Sequence, residues 1–422
     1  MTEGPSANKK LKIQNEFDKS PNWANAFRLT SVQAIYPAFA VLQLGPDCNA
    51  HMSVPFTDAK CNFRKVGLEV GGLYMIDFDD IFSKGIDLLI DLQNNSRELT
   101  EEEQRAVDIL DHFLKDKEKH QQSLHKVLGG CKSEEEKDEN TNSFETHMTI
   151  ALAEHLFGKL APGQSYVIDN RVRGKKEKEM CQCRLDHCHG RPKFDCTGIG
   201  DEKAWHGFLD IVFSSHPVAA ITTQELYGDE NDEESETVYD EDSPDGKTIC
   251  EMQLNCNHGA ENQAIAQTIV FSYIQRKRHP SFQNYLIPNI LISPYHFRIL
   301  MYDSLNDILI CSVKLPIFQD KEKCEKLSVE SIVFLWIVLH YRIFCVGINV
   351  TELLNSGSIK DLRDIQSNFP ERAREKFKLY EESSTIGISS FLPIPEEIFP
   401  SLDSFLYGKR LFKPRRLWKN SI

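Results

Sequence analysis

The chain reads as an α/β protein: a mixed central sheet flanked by helices, with a mixed, largely helical N-terminal region and an apolar helix towards the C-terminus. Three observations carry that reading. From Phe144 to Val313, short apolar runs of strand character alternate with helix-patterned segments, the order expected of helices layered on a sheet. Carboxylates sit inside two of those runs, Asp210 in FLDIVF and Glu251 in TICEMQL. A buried carboxylate is costly unless it is paired or holds a metal, so both positions are candidates for chemistry. Finally, Ser328 to Phe344 is strongly apolar at helical length, while His340, Tyr341 and Arg342 interrupt the longer stretch 331–350. A membrane span wants about 20 apolar residues, so this segment is expected as a buried helix.

Length and composition bound the rest. A chain of 422 residues allows two or three domains, and 41% hydrophobic residues suffice for a sizeable core. No apolar leader-like segment opens the sequence, which points to an intracellular location, cytoplasmic or nuclear, with no membrane partner. Twelve cysteines in a chain this long read as reduced thiols or metal ligands. The net charge of −14 is concentrated: residues 225–245 hold eleven acidic residues and no Lys or Arg, leaving −3 elsewhere. A polyanionic partner is therefore not excluded by overall acidity.

In chain order, residues 1–15 are polar and basic and are expected to be disordered. Residues 16–130 form the N-terminal region. There AIYPAFAVLQL reads as core, and GLYMIDFDDIF as a strand entering a helix. Thr100 and Glu103 make a capping-box signature before Val107, Leu110, Phe113 and Leu114 at helical spacing. The charged, turn-rich segment 131–143 is a candidate linker. The α/β domain then spans 144–350. It opens on a helix with Phe144, Met148, Ala151, Leu152 and Leu156 along one stripe, followed by the strand-like QSYVIDNRVR. A Cys/His-rich insertion (174–204) precedes the strand HGFLDIVFSS, with PVAAITT as its hairpin mate. An acidic insertion (225–247) precedes TICEMQL and a helix from Asn262 to Gln275. Three further apolar runs follow, and 351–422 is a polar tail, basic at its end.

Glu251 and Gln253 lie two apart, so on a strand they share a face, and Gln267 follows on the next helix. Asp, then Glu-x-Gln on a neighbouring strand, then a Gln-bearing helix resembles the PD-(D/E)XK nuclease-like superfamily in its exonuclease (RecB-like) branch. The resemblance implies metal-dependent hydrolysis of nucleic-acid phosphodiester bonds. It assigns Asp210 and Glu251 as ligands of Mg²⁺ or Mn²⁺, with the Met252 carbonyl and, on the preceding helix, Glu145 as further donors. Gln253 stands where the family has the lysine that orients the attacking water. A glutamine can hydrogen-bond that water but brings no positive charge. Gln267, Arg276, Lys277 and Arg278 are the expected nucleic-acid contacts. The Lys-to-Gln departure and the acidic insertion keep a second reading open: the same fold as a catalytically inactive module binding nucleic acid or protein.

A second candidate centre lies in the Cys/His-rich insertion. Cys181, Cys183, His187, Cys188, His189 and Cys196 fall within 16 residues. Zinc takes four Cys or His ligands in a closed structural site, and Cys181, Cys183, Cys188 and Cys196 are the expected set. The spacing matches no standard finger, so free thiols in a loop compete with this reading.

Overall fold

The computed structural model describes residues 37–67, 72–94, 97–129, 141–164, 166–169, 171, 181–188, 192–195, 197–201, 203–213, 218–223, 258–282, 284–320, 325–355 and 359–383. The first 15 residues, the acidic insertion and TICEMQL fall outside these.

The N-terminal part supplies strands β1 (Ala38–Gln43), β2 (Val54–Pro55), β3 (Arg64–Lys65) and β4 (Met75–Asp77), then helices α1 (Phe78–Asn94), α2 (Glu101–Lys115) and α3 (Lys117–Leu128). The capping box forms: Thr100 Oγ1 accepts from Glu103 N at 3.2 Å, and Glu103 Oε2 accepts from Thr100 N at 2.8 Å. Next come α4 (Thr141–Leu152), β5 (Tyr166–Asp169), β6 (Phe194–Asp195), β7 (Gly198–Gly200), β8 (Trp205–Phe208), β9 (Ile211–Phe213) and β10 (Val218–Thr222). Helix α5 (His258–Arg278) leads to β11 (Leu286–Ile292), β12 (His296–Asp303), β13 (Ile308–Ser312) and β14 (Leu315–Pro316). The chain closes on α6 (Val329–Leu339), α7 (Tyr341–Phe344), α8 (Val350–Asn355) and α9 (Glu371–Ser383).

Among the described residues eleven strands form one mixed sheet, in the order β3-β1-β13-β12-β11-β10-β9-β5-β6, with β14 on β12 and β4 on β1. The parallel pair β10–β11 is joined through α5, and the hairpin partners β9–β10 and β11–β12 are antiparallel. A second sheet, β2-β8-β7, carries the approach to Asp210. Every residue of β11 is buried, so LIPNILI shows a continuous apolar run instead of alternation, as a strand covered on both faces should. On β1 the faces divide: Phe39 stacks against Phe78 of α1, while Ala40 and Leu42 line a groove with Ile265 of α5. Helices α1 and α5 therefore cover opposite faces of the sheet.

The expected buried helix is α6. Ser328 caps it, ten of its residues are buried, and Trp336 Nε1 donates to Ala106 O at 2.9 Å, which ties it to α2. It ends at His340. Among the described residues no helix is long and apolar enough to cross a membrane.

Two expectations need correction. The N-terminal region is not separate from the α/β domain, because β1 pairs with β13 from Phe39 to Leu42 and the sheet runs across the expected linker. The tail is partly core: Phe369, Ala373 and Phe377 are buried, and Arg374 donates to Asp307 Oδ2 at 2.7 Å. The expected hairpin of β9 with the PVAAITT strand forms, and β5 takes the other edge of β9; the Glu251 run lies outside the described residues.

Helix α4 widens into a π turn at Ala153–Phe157 before Gly158–Leu160 resumes the α geometry. A Cβ at position 158 would run into the Ala153 carbonyl and the Tyr166 ring. Gly158→Ala is therefore expected to destabilise the protein by about 1–3 kcal/mol, the usual cost of overpacking, read as a lower urea midpoint with an unchanged m-value. A neutral substitution would mean that β5 does not press on this turn.

Candidate metal centre and acidic site

The π turn presents His155 to the insertion loop. Leu152, Ala153, Leu156 and Phe157 bury the surrounding faces, and the loop 181–188 folds back over His155 through two tight turns. His155 Nε2 then lies 3.2 Å from Cys181 Sγ, 3.4 Å from Cys183 Sγ and 3.3 Å from Cys188 Sγ. All four ligand atoms fall within 4.8 Å of one another, and only Cys188 is partly exposed. A neutral imidazole nitrogen carries one hydrogen or one lone pair, so it cannot hydrogen-bond three sulfurs at once. A cation at the centre satisfies all four donors. In a tetrahedron with zinc bonds of about 2.3 Å to sulfur and 2.0–2.1 Å to nitrogen, the nitrogen–sulfur edge is roughly 3.5 Å.

The protonation state of the imidazole suits that use. Burial, reinforced by the neighbouring His120, Lys159 and His187, depresses His155 to about 3, so its ring is neutral at pH 7. Burial pushes the Cys181 thiol up, with Cys183 and Cys188 adding to the effect, so a metal would have to ionise the thiols on binding. Next to the last cysteine, His187 Nε2 lies 3.0 Å from Ser123 Oγ and 3.1 Å from Lys119 O, which anchors the loop to α3. Cys196 lies outside the described residues, and the fourth ligand of the described cluster is His155. In sequence His155 looks like a core histidine on an apolar helix, between Leu152 and Leu156, and nothing local marks it as a ligand.

The acidic site forms at the other end of α4. Asp210 precedes β9, and Asp169 N donates to its carbonyl at 3.0 Å, which places the two residues opposite each other across β5 and β9. Asp210 Oδ2 accepts from Thr222 N at 2.8 Å and from Thr222 Oγ1 at 3.0 Å. Thr222 Oγ1 is 2.9 Å from Thr149 Oγ1, which in turn lies 2.7 Å from the Glu145 carbonyl. Burial lifts Asp210 to about 6, with the Thr222 bonds opposing and the charges of Glu145 and Asp169 assisting. Burial also raises Glu145. Asp169 is offset by Arg171, whose Nη2 is 2.7 Å from its Oδ2.

The structure thus places Glu145 near enough to Asp210 for its charge to act on it, and adds Asp169, which the sequence did not single out; among the described residues the ligand atoms gathered within 4.8 Å of one another are those of His155 and the three cysteines. Glu251 and Gln253 lie outside the described residues. Gln267 is fully buried and donates from Nε2 to Phe208 O at 2.8 Å, so it braces the strand approaching Asp210 and has no surface to offer a phosphate. Arg276 donates to Ser304 O at 3.0 Å. Its end of α5 packs near Tyr285, before β11 begins, whereas Asp210 meets Thr222, which pairs with the last residue of β11. The basic run of Arg276 and Lys277 is therefore at the far end of the sheet, about 14 Å along the helix from Gln267; the Arg278 side chain lies outside the described residues. No family model, curated protein or solved structure matches the chain.

A carboxyl group raised in the folded state penalises folding above its folded pKa and costs nothing below its unfolded one. Asp210→Asn is therefore expected to raise stability at pH 7, on the order of 1–3 kcal/mol, with the gain shrinking as the pH falls from 7 towards 5. Paired urea titrations across that range, without added divalent cation, check this. A pH-independent difference would show that Asp210 titrates like an exposed aspartate.

Proposed function

We propose that the chain is a metal-dependent nuclease-like protein that hydrolyses phosphodiester bonds of nucleic acid. Its acidic site is built on Glu145 and Asp210, and its core is fastened by a zinc ion on His155, Cys181, Cys183 and Cys188. The observation that supports the reading is the buried carboxyl of Asp210 at one end of the sheet, linked through Thr222 and Thr149 to the turn that carries Glu145. The described part of the order, helix α4, then Asp210 before β9, then helix α5 with Gln267, is consistent with the resemblance to the PD-(D/E)XK superfamily; the Glu-x-Gln run lies outside the described residues.

Two carboxylates fit a hard divalent cation such as Mg²⁺ or Mn²⁺, which takes oxygen ligands and keeps open positions for phosphate and water. Such a cation supplies Lewis-acid stabilisation and a hydroxide nucleophile near neutral pH. Asp210 gives up its proton when the cation is held, Thr222 keeps the carboxylate oriented, and Glu145 adds the second charge. By the resemblance, Glu251 and the Met252 carbonyl join them, and Gln253 hydrogen-bonds the attacking water. One observation favours the second reading, a catalytically inactive module that binds nucleic acid: Asp210 Oδ2 already accepts two hydrogen bonds from Thr222.

Cleavage of single- and double-stranded DNA and RNA with Mg²⁺ or Mn²⁺ separates the two. In a working site, Asp210→Ala abolishes cleavage while the protein stays folded, and Gln253→Lys preserves or raises activity by adding a cation beside the developing charge. Inactive wild-type and Gln253→Lys proteins on all four substrates would end the hydrolase reading.

Zinc binding is checked without any activity. Elemental analysis of purified protein should give roughly one zinc per chain. The Cys181→Ser, Cys183→Ser double variant and His155→Gln should lose it and melt at lower temperature, while Cys196→Ser should keep it. Metal-free protein whose melting is unaffected by chelator would retire the site.

A further inference from the structure

Resting on the nucleic-acid reading above, whether the site cleaves or only binds, we infer that Arg171 is a backbone-phosphate contact, the cation that Gln253 does not supply. Arg171 lies two residues beyond β5. Its Nε and Nη2 each lie 2.7 Å from Asp169 Oδ2, and its backbone N–H reaches Oδ1 at 3.1 Å. The guanidinium carbon stands 3.3 Å from the centre of the Phe208 ring. Asp169 and Asp210 are opposite one another in the antiparallel pair, so their side chains leave the same face. The guanidinium bonds Asp169 and lies over the Phe208 ring, which puts Arg171 beside that pair.

The guanidinium is therefore held edge-on by a carboxylate and flat by a ring. Its plane is fixed before any ligand arrives, so little entropy is lost on contact. Nη1 has no protein partner among the described residues, and the side chain is 56% exposed. Neutralising the buried Asp169 accounts for the Nε and Nη2 contacts; it does not require a free, oriented edge at the surface beside Asp210. Charge balance agrees. Glu145, Asp169 and Asp210, when ionised, carry three negative charges against the one positive charge of Arg171, and a divalent cation offsets the remaining two. A polyanion can then approach, and the exposed guanidinium edge matches its phosphate oxygens.

The test is the salt dependence of binding by the full-length protein. Dissociation constants are measured for labelled single- and double-stranded DNA and RNA oligonucleotides over a range of NaCl, with Ca²⁺ present. Arg171→Ala should lower the slope of log affinity against log salt by about 0.7–0.9, the share of one phosphate contact. Arg171→Lys keeps the charge and should restore the slope, a pattern that a merely structural role would not produce. Where Arg171→Ala fails to fold, Arg171→Gln keeps a hydrogen-bond donor for Asp169 and reads the same slope. An unchanged slope in Arg171→Ala overturns the assignment, as does a wild-type protein that binds none of the four oligonucleotides. Cleavage followed in parallel with Mn²⁺ keeps the two ideas apart. Binding without cleavage, with the slope reduced in Arg171→Ala, ends the hydrolase reading and leaves Arg171 in place. Cleavage with an unchanged slope removes Arg171 alone.

Discussion

The sheet depends on one helix being buried on nearly every side. Helix α5 carries Ala264, Ile265, Ala266, Ile269, Val270, Phe271 and Ile274 into the core, but also Gln267, Thr268, Ser272 and Gln275. Buried polar groups must find partners, and those partners fix where the helix sits. Thr268 accepts from Asn289 Nδ2 at 3.0 Å on β11, Ser272 donates to Tyr285 O at 3.1 Å just before that strand, and Gln267 reaches Phe208 O. With α5 so placed, the chain crosses from β10 to enter β11 parallel to it. The antiparallel hairpin of β9 with β10 then brings Thr222 to Asp210.

Helix α4 joins the two chemistries. Glu145 and Thr149 lie on its first turns at the acidic site, and His155 lies about 15 Å further along at the thiol cluster, counted at 1.5 Å per residue. The π turn is what aims His155. An α-helix would advance each side chain by a fixed rotation, whereas the wider turn re-phases the residues after Leu152. Tyr166 donates to Glu154 in the same turn, so β5, the strand leading to Asp169, packs against the turn that aims His155. A metal on the cysteines therefore steadies the helix that carries Glu145, without lying near the acidic site itself.

What could be read from sequence was what depends on neighbours in the chain. The Thr100–Glu103 cap, the apolar run that becomes α6, the hairpin of HGFLDIVFSS with PVAAITT, and the grouping of Cys181, Cys183 and Cys188 are all local. What could not be read depends on residues far apart. The pairing of β1 with β13 joins residues more than half the chain apart, and a short strand such as AFAVLQ has the same pattern whether it stands alone or closes a larger sheet. His155 gave no metal signal because a lone imidazole on an apolar helix is ordinary core, and its ligand role comes from a loop some 30 residues later. Asp169 and Arg171 were hidden in a strand-like run whose alternation said only that one face is polar. Thr222 went unremarked for the same reason: PVAAITT reads as an apolar hairpin mate, and the contact of this threonine with Asp210 shows only once the strands are paired.

Thr222 sharpens what the acidic site is. A serine or threonine beside an ionised carboxylate normally spends its hydrogen on the carboxylate and accepts one from elsewhere. Here Thr222 has Thr149 on its other side, and Thr149 lies within reach of the Glu145 carbonyl, an acceptor only. With Thr222 donating to Asp210 through both its N–H and its hydroxyl, these bonds favour the ionised carboxylate. Burial and the nearby charges of Glu145 and Asp169 favour the neutral acid, and they prevail. Asp210 is thus oriented for ionisation and penalised for it at once. A cation bound there would offset the charge that burial penalises and leave the Thr222 bonds in place, so its uptake and the loss of the Asp210 proton would be linked. Such binding would tighten as the pH rises through the range near 6 where Asp210 ionises.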